Sequence, residues 1–526
     1  MHVSLKIFLS VFLLTAPPAF PQSSIKLSVD AKAGRHPINP NIYGIANGVD
    51  PAFAQEIKLP NTRWGGDATS RYNWQVDASN SGKDWYFMGG AGVSTPIPGA
   101  QVDQMIHKYL PASTTPLITI PIIPFVNKTS DWNCSYPVSL YGAQASVNPY
   151  VHPNGGDCGN GVTLNGDQLL DTAVYANHID NSPDLQKGWM EHLLSTFGKF
   201  PAHAPWFFQL DNEPGGWGNT HVDVEPDGAT YDTIFELGRK YAAMVKAAHP
   251  PAQILGPSDF THAGWVGTGP DQAEHNGLYS GQWYLKKMAA YEDRNGVRLL
   301  DYFDEHYYPT GGSGDQWTLD VTRSLWDPTY NSGSWFEQYY GSIQLIPRFK
   351  SWINDYYPGT KLAISEYSFG PNTGLVNALA QADVLGIFGR EGADFANLWT
   401  IPDPTQPVAY SFRLFRNYDG QGSAFGDIGI SSTSTDQSQL AIYGAIRRAD
   451  HSLTLLVINK TQTAMQTGVS LANFHPANTA ETFSYSAANL NAIVPGASLP
   501  VDAQGFSTNF PARSATMIVL PGAERN

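Results

Sequence analysis

Residues 206–210, Trp206-Phe207-Phe208-Gln209-Leu210, lead directly into Asp211-Asn212-Glu213-Pro214. A short apolar run that stops at turn residues reads as a strand covered on both faces. Such strands belong to parallel sheets flanked by helices. A carboxylate at the end of one leaves the packed core and points among the loops, where a parallel barrel does its chemistry. Glu213 is therefore a catalytic candidate, with Asn212 beside it. The plainer reading is a polar turn that ends a strand. A second stretch has the same design: Lys361-Leu362-Ala363-Ile364-Ser365 runs into Glu366-Tyr367. Cleaving a glycosidic bond takes two carboxyl groups on opposite sides of it. One protonates the leaving oxygen; the other attacks the anomeric carbon or activates a water. Two strand-end glutamates far apart in sequence suit a barrel that gathers distant strand ends around one pocket.

The same buried-strand pattern recurs at 42–45, 61–64, 116–123, 253–256, 299–306 and 395–399, making eight strands. Helical periodicity lies between several of them, at 185–200, 232–249 and 375–390. This alternation predicts an α/β chain with a (β/α)8 TIM-like barrel over residues 39–418. From 419 the texture changes to short alternating runs, at 453–458, 482–485 and 515–520, separated by Gly, Asn, Ser and Pro. That is the pattern of an antiparallel β-sandwich, predicted over 419–526. Residues 25–29 also alternate, which implies one wet face and excludes them from a parallel barrel. Residues 23–38 are accordingly predicted to supply an N-terminal strand to the sandwich, which is then built from both termini.

Composition narrows the partners. Charged residues are only 15 % of a chain that is 42 % hydrophobic, which argues against disorder. A formal net charge of −15 argues against nucleic acid and anionic membrane surfaces, but not against a neutral polymer. Residues 1–22 read as a signal peptide, with Lys6 ahead of an apolar stretch at 7–16 that is too short to span a membrane. The mature protein is thus expected to be secreted, extracellular or periplasmic, with no membrane partner once the signal is removed. In that setting Cys134 and Cys158, the two cysteines of the chain, are expected to form a disulfide.

Other strand-end residues shape the expected site. Arg63-Trp64 closes the second strand, and Arg63 is a candidate to keep Glu366 ionised. His306-Tyr307-Tyr308 closes the sixth, and either Tyr307 or Tyr308 is a candidate hydrogen-bond donor to Glu366. Asn212 is a candidate to hold the sugar hydroxyl next to the reacting carbon. Aromatic platforms for sugar rings are expected among Trp64, Trp85, Trp217, Trp326 and Trp399.

Taken in order, these stretches resemble glycoside hydrolase family 44, secreted endoglucanases and xyloglucanases. The resemblance rests on Arg63-Trp64-Gly65-Gly66-Asp67, Tyr72-Asn73-Trp74, Asp211-Asn212-Glu213-Pro214, and Trp217 with Asn219-Thr220-His221. It continues through Phe303-Asp304-Glu305-His306-Tyr307-Tyr308-Pro309, Leu325-Trp326-Asp327-Pro328, Ser365-Glu366-Tyr367-Ser368 and Phe415-Arg416-Asn417-Tyr418-Asp419-Gly420. It implies a barrel with a sandwich made from both ends, a retaining mechanism on a β-glucan polysaccharide, Glu213 as acid/base and Glu366 as nucleophile. No cofactor is implied for catalysis. Metal ions occur in the family, so a structural calcium is allowed, although no cluster here has diagnostic ligand spacing. Two other readings share parts of this pattern: an exo-acting arabinofuranosidase and a non-catalytic polysaccharide-binding protein.

Overall fold

The computed structural model describes residues 24–91, 96–150, 155–198 and 206–523. The signal-like segment 1–22 lies outside the described residues. Eight parallel strands close a barrel in sequence order: β1 (Gly44–Ala46), β2 (Asn61–Trp64), β3 (Thr115–Ile120), β4 (Phe207–Leu210), β5 (Gln253–Asp259), β6 (Tyr302–Glu305), β7 (Lys361–Tyr367) and β8 (Phe395–Leu398). The helices that cover it are α1 (Pro51–Glu56), α2 (Ala100–Tyr109), α3 (Pro183–Phe197), α4 (Tyr231–Ala248), α5 (Ser280–Asn295), α6 (Leu345–Tyr356), α7 (Leu375–Glu391) and α8 (Pro407–Arg416). Their starts are chemically marked. The Ser182 side chain accepts from the Leu185 amide ahead of α3, Thr230 does the same for Thr233 of α4, and Pro183 sits in the first turn of α3. The predicted first strand is shifted: Pro40, capped by Asn39, starts a 3-10 turn at Pro40–Tyr43, and the ladder begins only at Gly44.

Period-two alternation sorts each strand into inward and outward residues. Inward at the amino-terminal end, Leu117, Phe207, Leu255, Tyr302, Ala363 and Phe395 form an apolar plug. Other residues inside the barrel are polar and bonded to each other. Asp304 Oδ2 accepts from the hydroxyls of Ser258 and Ser365, both at 2.6 Å, and Asn397 donates to Asn61 at 2.8 Å. Outward residues such as Ile45, Ile118, Phe208, Ile254, Phe303 and Ile364 join the core shared with the helices. Water is thus kept from the bottom and middle of the barrel, and the charged groups gather at the open, carboxyl end.

The sandwich takes strands from both ends of the chain. Leu27–Asp30 pairs parallel to Met465–Ala472 and antiparallel to Ser431–Ser434, and His36–Pro37 pairs with Ile428–Gly429. Leu27, Val29, Ile442, Leu455, Val457, Val469, Phe506 and Ile518 fill the space between its sheets. Helix α7 is the joint with the barrel, and it is buried from Ala378 to Gly389 because both domains cover it. Gly386 lies so close to the Tyr443 ring that a Cβ would sit 2.4 Å from it. Beside it, Lys460 Nζ reaches Asp383 Oδ2 at 2.6 Å, while Tyr443 and Thr322 donate their hydroxyls to the same carboxylate. Cys134 and Cys158 are disulfide-bonded within the long excursion between β3 and α3. Among the described residues no helix is long and apolar enough to cross a membrane.

The Lys460–Asp383 pair is all but excluded from solvent. Removing one partner of a buried pair leaves an uncompensated charge, a loss of about 3–5 kcal/mol. Lys460→Met is therefore expected to lower the urea midpoint strongly. Lys460→Met with Asp383→Asn should recover much of the loss; equal midpoints for the single and double variants would contradict the assignment.

Candidate active site

Glu213 reaches the barrel mouth by an unusual backbone. Asp211 and Glu213 both lie in the left-handed region, at φ 64° and 49°. A side-chain-bearing residue there costs about 1–2 kcal/mol, so the turn needs bonds to hold it. The Asp211 carboxylate accepts from the amides of Ile122 and Ile123, and the Glu213 amide donates to Ser258 O at 3.0 Å. The result places Glu213 Oε1 2.8 Å from His306 Nδ1.

Glu366 arrives by a different device. In β7, Leu362 and Ile364 face the helices, whereas Ala363 and Ser365 face the barrel interior. Strict alternation would send Glu366 outward. Pairing with β8 shifts register between Ile364 and Tyr367. A bulge of this kind re-aims the side chains that follow it, so Glu366 faces inward and Tyr367 rejoins the outer core. One Glu366 oxygen accepts from Tyr308 Oη at 2.6 Å and the other from Arg63 Nη1. His306 Nδ1 lies 3.8 Å from the second oxygen.

Arg63 is inaccessible to solvent, and each of its three side-chain nitrogens donates one hydrogen bond. Its Nε donates to Gln209 Oε1 and its Nη2 to Asn212 Oδ1, each at 2.6 Å. Its guanidinium stands 5.6 Å from the centre of the Trp399 ring. The two glycines after Trp64 make room for this: a Cβ on Gly65 would lie 2.5 Å from the guanidinium, and one on Gly66 2.7 Å from the Trp399 ring.

The electrostatics follow from these contacts. Burial alone would push the Glu366 carboxyl up. The charges of His306 and Arg63, with hydrogen bonds from Tyr308 and Arg63, outweigh burial and hold it below the usual range. Burial would likewise lower His306, but Glu366 and Glu213 outweigh it and raise the imidazole. The Tyr308 hydroxyl is driven far up by burial and by the adjacent Glu366. Asp67, whose Oδ1 accepts from Asn212 Nδ2 at 2.6 Å, is pushed up to about 7 by burial, then by Glu213, Asp84 and Glu366. Asp259, completely buried at the end of β5, rises to about 7 chiefly through burial.

Of the residues singled out in the sequence, Arg63, Asn212, Glu213, His306, Tyr308, Glu366 and Trp399 come together. Trp399 is 37 % exposed beside Arg63, so one face is open to a ligand. Trp85 is exposed too and stacks on Tyr150 with centroids 5.8 Å apart. The remaining aromatic assignments are corrected by the structure. Because Arg63 points inward, Trp64 must point outward, and its ring packs edge-on against Tyr72 and Trp189. Trp217 is completely buried in the main core. Tyr307 is buried as well and shares a hydrogen bond with Ser324, leaving the contact with Glu366 to Tyr308. Trp326 stacks under Arg390 at 4.4 Å. Gln381 of α7 bonds Tyr367 at the top of β7, and Arg390 lies nine residues down that helix, about 13 Å lower. Trp326 is thus on the sandwich side, near Tyr443, and not at the mouth.

Gln209, Asp67, Asp84 and Asp259 were not assigned roles from the sequence. Gln209 carried a signal: it is the one polar residue in an otherwise apolar strand, two positions from the inward Phe207. Among the described residues, one group of acidic, His or Cys side chains converges like metal ligands: Glu213, His306 and Glu366, with one ligand-type atom of each within 4.8 Å of the others. This mixed nitrogen and oxygen trio, with an arginine already on one carboxylate, does not suit the all-oxygen shell of calcium.

Paired carboxyl groups on opposed strand ends of a parallel barrel are the arrangement that glycoside hydrolases use. The sequence profile described as glycoside hydrolase family 44 matches residues 78–311. The chain is 35 % identical to CelM2, a bifunctional glucanase-xylanase protein from a metagenome library, covering 95 % of this chain and 99 % of that one with a TM-score of 0.90. It is 26 % identical to a xyloglucanase of family 44 from Paenibacillus polymyxa, covering 95 % and 99 %, with a TM-score of 0.81. A curated relative, beta-mannanase/endoglucanase A of Caldicellulosiruptor saccharolyticus, is 29 % identical over 83 % of this chain; the chain spans 34 % of that relative's length. The chain belongs to glycoside hydrolase family 44.

The environment of Glu366 yields a direct test. Tyr308→Phe removes a hydrogen bond that favours the carboxylate and is therefore expected to raise the Glu366 pKa. Carboxyl-carbon NMR titration of wild type and variant reads this; an unchanged or lower value would show that Tyr308 does not stabilise the ionised form.

Proposed function

We propose that the protein is a secreted endo-acting β-1,4-glucanase that hydrolyses cellulose-type β-glucans, and xyloglucan among them, with retention of anomeric configuration. The observation that carries this reading is the separation of the two glutamates. A Glu213 oxygen and a Glu366 oxygen lie within 4.8 Å of each other. Retaining enzymes hold their carboxyl groups about 5 Å apart, whereas inverting enzymes need about 6.5–9.5 Å to admit a water. The names of the relatives, which include glucanase, xylanase, xyloglucanase and mannanase activities, support a polymeric substrate. The exposed rings of Trp399 and Trp85 support a cleft along which sugars stack. The signal-like leader and the disulfide support export.

In this reading Glu366 is the nucleophile. Arg63 and Tyr308 hold it ionised and aimed at the anomeric carbon. Glu213, hydrogen-bonded to His306 and one-fifth exposed on its side chain, is the acid/base. It gives its proton to the leaving oxygen as the Glu366 carboxylate bonds to carbon, forming a glycosyl ester. The deprotonated Glu213 then takes a proton from the incoming water, which displaces Glu366 from the opposite face. Two displacements restore the original configuration. Each group is supplied by the chain, and no cofactor enters the sequence of steps.

Azide rescue assigns the two roles. With an aryl cellobioside bearing a good leaving group, Glu213→Ala should still form the ester, since that departure needs no acid. Azide should then give a β-glycosyl azide. Glu366→Ala should give the α-azide, because azide replaces the carboxylate itself. Exchanged products would reverse the roles, and inverted wild-type product by early-time NMR would rule out the covalent route. Turnover of aryl arabinofuranoside without attack on glucans would favour the exo-acting alternative.

A further inference from the structure

Asp67 stands near the two glutamates and takes no part in either displacement. It follows Gly65-Gly66, whose missing side chains let Arg63 and Trp399 close in, and it opens the turn Asp67–Arg71. Its carboxylate and the Arg63 guanidinium hold the Asn212 amide from its two ends. Arg63 has only donors, so it takes Asn212 Oδ1; Asp67 accepts from Nδ2. This fixes which way the amide faces and leaves one Nδ2 hydrogen for a ligand.

The choice of an acid here is costly. Asp67 is surrounded by Glu213, Glu366 and Asp84, and burial together with these charges drives its carboxyl up to about 7. A neutral acceptor would bond Asn212 without that repulsion. Strongly perturbed carboxyl groups in a cleft mark functional positions more often than structural ones.

Resting on the glycosidase reading above, we propose that Asp67 is a positioning residue: it orients the Asn212 amide so that its remaining N–H donates to the hydroxyl on the carbon next to the anomeric centre. That bond strengthens as the ring gains positive charge, so it acts mainly on turnover and less on binding.

The test compares Asp67→Ala and Asp67→Asn on an activated aryl β-cellobioside and on its analogue lacking the 2-hydroxyl of the sugar to be attacked. Asp67→Ala should lose about tenfold or more in kcat on the hydroxylated substrate, the worth of one good hydrogen bond. On the 2-deoxy substrate the loss should be under about threefold, because the partner of Asn212 is gone. Asp67→Asn keeps an oxygen for Asn212 and should stay within about threefold of wild type on both. Equal losses on the two substrates would overturn the proposal, as would undiminished Asp67→Ala or an Asp67→Asn as impaired as Asp67→Ala. If wild type hydrolyses neither substrate, it is the glycosidase reading that fails.

Discussion

A guanidinium with no access to water must find its partners in the protein, and each nitrogen of Arg63 finds one from a different direction. Its partners are Gln209 on β4, Asn212 just past that strand, and Glu366 on β7. An unpaired buried charge costs several kcal/mol, and so does a buried carboxylate that loses its cation. Arg63 therefore helps hold Glu366 ionised at a depth where burial alone would favour the neutral carboxyl. The same contacts fix where the two glutamates stand. Arg63 aims Glu366, orients Asn212 beside Glu213, and presents Trp399 with a cationic back face. Gly65 and Gly66 follow as a consequence, since any side chain at either position would collide with the guanidinium or the indole.

The titrating groups of the site do not pull stability in one direction. Glu366 is depressed in the folded state, so its contribution is present above its unfolded pKa and is lost as the pH falls through the folded one. His306 is raised, so its contribution is complete below its unfolded pKa and fades as the pH rises through the folded value. Asp67 works against the fold. With its carboxyl raised to about 7, the fold loses stability progressively as the pH rises from the ordinary aspartate range through that value. The site is a place where the fold tolerates strain, in charge at Asp67 and in backbone at Asp211 and Glu213.

Much of the architecture was legible because it rests on periodicity. Eight buried-strand patterns, the change of texture near 419 and the alternation at 25–29 each reflect how many faces of a strand are covered. That is written in the order of apolar residues. The site was legible where it coincides with strand ends, as for Arg63, Asn212, Glu213, His306 and Glu366. Trp64 was readable in hindsight by the same rule, since neighbours in a strand face opposite ways and Arg63 claims the interior. Trp217 and Trp326 were not, because they lie off the strands, where sequence distance from a catalytic residue says little about direction. Nor was the inward turn of Glu366, which depends on a bulge set by pairing with β8. Asp67 was visible as part of a motif, but its partnership with Asn212 joins residues 145 apart and required the folded barrel.

The proposed double displacement requires Glu366 to be the carboxylate that attacks carbon. A 2-deoxy-2-fluoro cellobioside with a good leaving group forms the glycosyl ester but releases it slowly, so the attacking residue stays labelled. Intact-mass analysis and peptide sequencing of the inactivated protein should find one added fluoro-disaccharide, carried by the peptide that contains Ser365-Glu366-Tyr367. A label on Glu213, or time-dependent turnover with no covalent adduct on the chain, would contradict it.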